Sequence, residues 1–178
     1  MSIKSETKFS TQLIVEIALF CAIKVVLDRF LSINLPFLRI GIGFLPVLLA
    51  GIRLGALPTL LVAGLSDFLG AVLFPYGPYF PGFTLTACIM GWIYGSFYHK
   101  NLSWKNIILG IFLIQICCSL LLNSFWISWL SGNPYFVSIG KRLVSTCVDA
   151  AIRIAVLVFF KYNARYLSLL KKKSPVLS

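Results

Sequence analysis

The chemistry available to this chain is limited by its supply of reactive side chains. It has one histidine, His99, and five carboxylates, Glu6, Glu16, Asp28, Asp67 and Asp149. A nucleophile with its base, or a metal centre, needs such groups clustered at defined spacing. The sequence contains no HExxH, no carboxylates paired at helical spacing, no DxxD, and no Gly-rich phosphate loop ending in Lys-Ser or Lys-Thr. Cys21, Cys88, Cys117, Cys118 and Cys147 all lie within apolar stretches, and none forms a CxxC. They read as small packing residues. No catalytic residue, metal ligand or cofactor is expected, and His99 reads as a solvated loop residue.

Binding chemistry is better supplied. Cations and aromatics recur together at Arg39, Tyr76, Tyr79, Phe80, Phe83, Trp126, Trp129, Tyr135, Lys141 and Arg142. Cations beside flat rings suit an anionic, partly aromatic ligand through stacking, cation–π contact and charge-assisted hydrogen bonds. Tyr and Trp also settle at membrane interfaces whatever a protein does, so any one ring could be an anchor instead. Asp67 and Asn123 are polar groups within apolar runs and therefore need partners. Two readings stand side by side. A carboxylate and an amide can match the donor and acceptor edge of a heterocycle, or the two can make interhelical bonds, including an ion pair with Lys24 or Arg153. Asp149 and Arg153, four apart, read as an intrahelical pair.

The elements that must position these groups follow from composition. Of 178 residues, 59% are hydrophobic and 12% charged, and the mean hydropathy is +0.93. Such a chain needs lipid as solvent, and at about 20 apolar residues per crossing its length allows roughly six crossings. The pattern predicts an all-α, polytopic membrane protein, a single integral domain over 1–178 with helices at 12–31, 40–52, 55–74, 82–98, 106–130 and 139–160. A basic cytoplasmic tail at 161–178 completes it. The second helix is short and carries Gly41, Gly43, Pro46 and Gly51, which suggests irregular backbone beside a cavity. Glu16, Lys24 and Asp28 on the first helix should face protein or that cavity. The first apolar run lacks a small-residue cleavage site and reads as a retained helix. Ala18 and Ala22 stand one turn apart there, a spacing that lets another helix approach closely.

The net charge of +11 does not point to nucleic acid, because the cations gather at helix ends and in Lys171, Lys172 and Lys173. Placing both termini in the cytoplasm collects Lys4, Lys8, Arg53, Lys100, Lys105, Lys161 and Arg165 inside, as the positive-inside rule prefers. Arg29, Arg39, Lys141 and Arg142 then remain outside, with the Pro- and aromatic-rich loops.

These residues together resemble the S components of energy-coupling factor (ECF) transporters, and specifically their folate-binding branch. The segments that carry the resemblance are Leu38-Arg39-Ile40-Gly41-Ile42-Gly43-Phe44-Leu45-Pro46, Asp67-Phe68-Leu69-Gly70 and Gly77-Pro78-Tyr79-Phe80-Pro81-Gly82-Phe83-Thr84-Leu85. To these are added Gly91-Trp92-Ile93-Tyr94-Gly95 and Leu122-Asn123-Ser124-Phe125-Trp126. The resemblance implies an outward-facing pocket for folate or reduced folates, roofed by loops. It also implies partnership with a transmembrane scaffold subunit and two ATPases, against which the subunit topples to release vitamin inside. Asp67 and Asn123 would then bond the pterin edge, Trp126, Tyr79, Phe80 and Phe83 would flank the rings, and Arg39, Arg142 and Lys141 would attract the glutamate carboxylates. Ala18 and Ala22 resemble the family's scaffold-contact motif. The chain departs from the family pattern at Gly140-Lys141-Arg142-Leu143, where Pro-Arg-Leu is expected, and at Cys147, Asp149 and Arg153. An S component for another vitamin, a membrane-embedded lipid enzyme and an assembly subunit are the rival readings.

Overall fold

The computed structural model describes residues 10–30, 32–34, 39–75, 79–99, 102–132 and 134–163. Six helices account for nearly all of them: α1 Thr11–Phe30, α2 Phe44–Leu54, α3 Ala56–Leu73, α4 Pro81–Tyr98, α5 Trp104–Ser131 and α6 Tyr135–Tyr162. Between α1 and α2 the described strands are a single two-residue antiparallel pair, β1 Ile33–Asn34 with β2 Arg39–Ile40, in register Ile33 to Ile40 and Asn34 to Arg39. The fold is all-α.

Several boundaries differ from those the sequence suggested, each for a local reason. The second helix begins at Phe44, not at position 40, because Ile40 is engaged by Ile33 and the chain then turns through Gly41 and Gly43. At 11 residues it extends only about 16 Å, roughly half the thickness of a hydrocarbon core. The sixth helix starts at Tyr135 because the Pro134 carbonyl accepts from the N–H groups of Val137 and Ser138. Proline suits that position, having no N–H of its own to satisfy. The fifth is continuous but changes pitch: Leu113–Leu122 is π-helical between the α-helical stretches Trp104–Phe112 and Asn123–Ser131. Most of the basic tail, from position 164 onward, lies outside the described residues.

The tightest pairing is α3 with α4. A Cβ on Gly91 would lie 2.6 Å from the Thr59 carbonyl oxygen, and one on Gly95 would strike the backbone of Gly55 and Ala56. Glycine at both positions lets the two backbones approach, which matters where lipid offers no hydrophobic drive between helices. The main core joins α2, α4, α5 and α6 through Leu48, Ile52, Tyr94, Tyr98, Ile107, Ile114 and Leu157, all buried. A second cluster joins α1, α2 and α3 through Leu13, Ile17, Cys21, Ala50, Leu54 and Val62.

Among the described residues three helices, α3, α5 and α6, are by length and composition apolar enough to cross a membrane. The charges of α1 explain why it is not among them, and they are handled internally. Arg53 of α2 grips the Glu16 carboxylate through Nε at 2.7 Å and Nη2 at 2.5 Å, and Lys24 pairs with Asp28 at 2.7 Å. The rest of α1 exposes Ile14, Val15, Leu19, Ile23, Val26 and Phe30, an apolar exterior of the kind lipid solvates. At the far ends of α5 and α6, Lys161 sits over the Trp104 ring, 3.9 Å from its centroid.

Candidate ligand-binding site

All six helices border one cavity, α2 through Phe44 and Val47 near its start. This cavity measures about 720 Å³, within the range of small-molecule sites. Its walls are built in layers, and each helix supplies a few side chains.

The upper layer joins α3 to α4. The Thr84 hydroxyl donates to the Asp67 carboxylate at 2.9 Å, and the Tyr79 hydroxyl lies 3.1 Å from the same Thr84 oxygen. The Thr84 proton goes to Asp67, so Tyr79 donates to Thr84. Tyr79 also stands edge-on to Phe68, with centroids 5.6 Å apart. Asp67 thus makes an interhelical bond, but not the ion pair with Lys24 or Arg153 that the sequence left open. Both cations have carboxylate partners on their own helices.

The middle layer is aromatic and polar. Phe80 packs on Phe83 and on Trp126, with centroids 6.0 and 5.4 Å apart. Phe80 and Phe83 border the cavity, whereas Trp126 stands behind Phe80. Its indole N–H is spent on the Thr86 hydroxyl at 3.0 Å. Asn123 also borders the cavity, and its buried Oδ1 accepts no hydrogen bond among the described residues. A buried unpaired amide oxygen costs on the order of 1–3 kcal/mol, so this atom asks for a donor.

One face of α6 forms the facing wall. Arg142, Thr146, Asp149 and Arg153 recur at the three- and four-residue steps of a helix and all border the cavity. At the floor, Arg153 holds Asp149, donates to the Tyr94 hydroxyl at 2.6 Å, and lies 5.0 Å from the centroid of Phe44, the first residue of α2. From α1, Lys24, Asp28 and Arg29 also reach the cavity. The Asp28 carboxylate occupies the place that a Cβ on Gly43 would take, so it lies against the N-terminus of α2, where the helix dipole favours negative charge.

Of the residues singled out from sequence, Asp67, Tyr79, Phe80, Phe83, Asn123 and Arg142 converge on this cavity. Arg39 is placed by its backbone in β2 and Lys141 by its backbone in α6, while their side chains and all of Tyr76 lie outside the described residues. Ala18 and Ala22 are exposed on the outer face of α1. Sequence reasoning gave no role to Tyr94, Thr84 or Thr86, although Thr84 and Tyr94 lie within segments that carry the family resemblance. It read Asp149 and Arg153 as an intrahelical pair, which the structure bears out, but did not join them with Arg142 and Thr146 into the stripe 142, 146, 149, 153.

A family model for the substrate-specific component of ECF transporters matches residues 12–167. The chain belongs to that family. This ECF substrate-specific component is 39% identical over 141 residues to the folate transporter FolT of Clostridium novyi (strain NT), covering 79% of this chain and 82% of that one. It is 28% identical over 163 residues to the folate transporter FolT of Leuconostoc mesenteroides subsp. mesenteroides, covering 88% of each. Among solved structures, FolT bound with folic acid is similar at a TM-score of 0.78 and 31% identity, over 85% of this chain and 93% of that one. The S component for biotin from an ECF-type ABC transporter shares the fold at a TM-score of 0.63 and 16% identity, over 91% of this chain and 96% of that one. An ECF substrate-specific component is a multi-pass membrane transport subunit and not an enzyme.

Proposed function

We propose that this chain is the folate-binding subunit of an ECF-type vitamin importer, capturing folate or a reduced folate from outside the cell. The observation that carries the reading is the cavity itself. It combines an unpaired buried amide oxygen on Asn123, the Asp67 carboxylate, the rings of Phe80 and Phe83, and the cation Arg142. A flat heterocycle rich in donors and acceptors, joined to an anionic tail, meets each of these. The likeness to FolT bound with folic acid supports the same ligand.

In this reading Asp67 and Asn123 hydrogen-bond the pterin, Tyr79, Phe80 and Phe83 line the ring, and Trp126 braces Phe80 from behind. Arg142, with Arg39 and Lys141, draws in the glutamate carboxylates. Both termini are cytoplasmic, and the cavity opens outward. The chain has no phosphate loop, so transport draws on partners: a transmembrane scaffold and two ATPase subunits. Ala18 and Ala22, exposed one turn apart on α1, offer the scaffold a flat surface for close helix approach, and the subunit topples against it to deliver its cargo.

The test is mass spectrometry of small molecules released from the detergent-purified protein, followed by calorimetric titration. A retained folate that rebinds to the stripped protein supports the reading. A protein that carries another vitamin and ignores folic acid refutes it.

A further inference from the structure

The cavity floor presents a hydrogen-bonding pattern distinct from that of the layers above it. Nε and Nη2 of Arg153 both donate to Oδ2 of Asp149, at 3.0 and 2.8 Å, and Nη1 donates to the Tyr94 hydroxyl. These bonds use three of the five guanidinium N–H groups. Oδ1 of Asp149 accepts no hydrogen bond among the described residues. The two side chains keep 12% and 20% of their surface exposed, and both border the cavity. The unused oxygen and the unused N–H groups are therefore available to a ligand there.

An arginine only donates, and an ionised carboxylate only accepts. Side by side they offer an acceptor next to a donor. The complement is a lactam, an N–H beside a C=O, which in a pterin is the N3–H and O4 edge. A 4-amino pteridine reverses both positions: N3 becomes an acceptor and the 4-substituent a donor.

We infer that Asp149 and Arg153, fixed by Tyr94, read the lactam edge of a 4-oxopteridine and disfavour 4-amino analogues. The inference rests on the folate reading and adds the residues that set its specificity. Depth agrees with it. Tyr94 lies about 12 Å further along α4 than Thr86, so the floor is a full ring's reach below the Trp126 contact. Arg142 and Arg153 share one face of α6 about 16 Å apart, which suits a ligand with a polar head at one end and an anionic tail at the other. Asp67 and Asn123 then meet the ring from above.

The experiment compares folic acid with aminopterin, which differs in carrying a 4-amino group in place of the 4-oxo group. Both are titrated calorimetrically into the detergent-purified full chain and its variants. The parent is expected to bind folic acid at least about tenfold more tightly, since a site's buried polar groups penalise an analogue that mispairs them. Asp149→Asn, whose amide can turn either a donor or an acceptor to N3, and Arg153→Gln should lose most of that preference. Tyr94→Phe removes only the hydroxyl that fixes Nη1, so it should lower the preference in part, and it serves if the charge variants do not fold. A parent that binds both ligands alike overturns the inference while leaving the folate reading intact. Variants that weaken both ligands by the same factor overturn it too, since the pair is then purely structural. A parent that binds neither ligand removes the folate reading and this inference together.

Discussion

The indole N–H of Trp126 donates to the Thr86 hydroxyl across 3.0 Å, and that hydroxyl in turn donates to the Gly82 carbonyl. The bond ties α5 to α4 directly behind Phe80. Trp126→Phe and Thr86→Val should each weaken folate binding, because Phe80 loses its fixed backing. A double-mutant cycle on thermal stability should show a coupling of about 1 kcal/mol, the usual worth of one such bond. Additive losses would mean that the two side chains act independently.

The polar groups facing the ring should matter more than the cations at its tail. Asp67→Ala or Asn123→Ala leaves donors or acceptors of the pterin unpaired in a buried site. Each should cost on the order of 1–3 kcal/mol, or roughly five- to 150-fold in folate affinity. Calorimetric titration checks this, and variants that bind like the parent would return both residues to a packing role.

Arg142 should behave differently. If the glutamate tail stays near water, Arg142→Ala should cost below about 1 kcal/mol, and less as salt is raised. A pterin lacking glutamate should not sense the substitution at all. Titrations with both ligands at two ionic strengths separate the head from the tail.

Transport and binding should come apart at α1. Replacing Ala18 or Ala22 with Trp places a bulky ring on an exposed face and should abolish uptake in cells while leaving folate affinity of the isolated subunit unchanged. Normal uptake by the double variant would show that this face touches lipid only.

Orientation is open to direct labelling. In a background without native cysteines, Ser131→Cys, exposed as the last residue of α5, should react with an impermeant thiol reagent from outside, and Ser103→Cys, exposed before α5, only after permeabilisation. The reverse pattern would invert the topology and place the cavity on the cytoplasmic side.

Much of this fold is legible in sequence because lipid imposes long apolar runs, and Pro and Gly mark their ends. The residues of the cavity that are polar where polarity is costly, Asp67 and Asn123, announce themselves for the same reason. Tyr94 does not, since a tyrosine near a helix end looks like an interface anchor until Arg153, 59 positions away, is seen donating to it. Trp126 was legible as an aromatic at the site, but its place behind Phe80 depends on which atom satisfies its N–H. The late start of α2 was half visible: its glycines predicted irregular backbone, while the Ile33 to Ile40 pairing that delays it is a contact between residues too few to leave a periodic signal.

The π-helical stretch Leu113–Leu122 acts as a phase adjuster for everything beyond it. Its wider turns set the rotation at which Asn123 and Trp126 emerge, and a one-residue deletion that the helix did not absorb by a change of pitch would swing both by about 100° around the helix axis. The loops at either end of α5 would be untouched by such a change. Ligand preference in this scaffold can thus diverge through a single-residue insertion or deletion buried mid-helix, without any substitution among the residues that line the cavity.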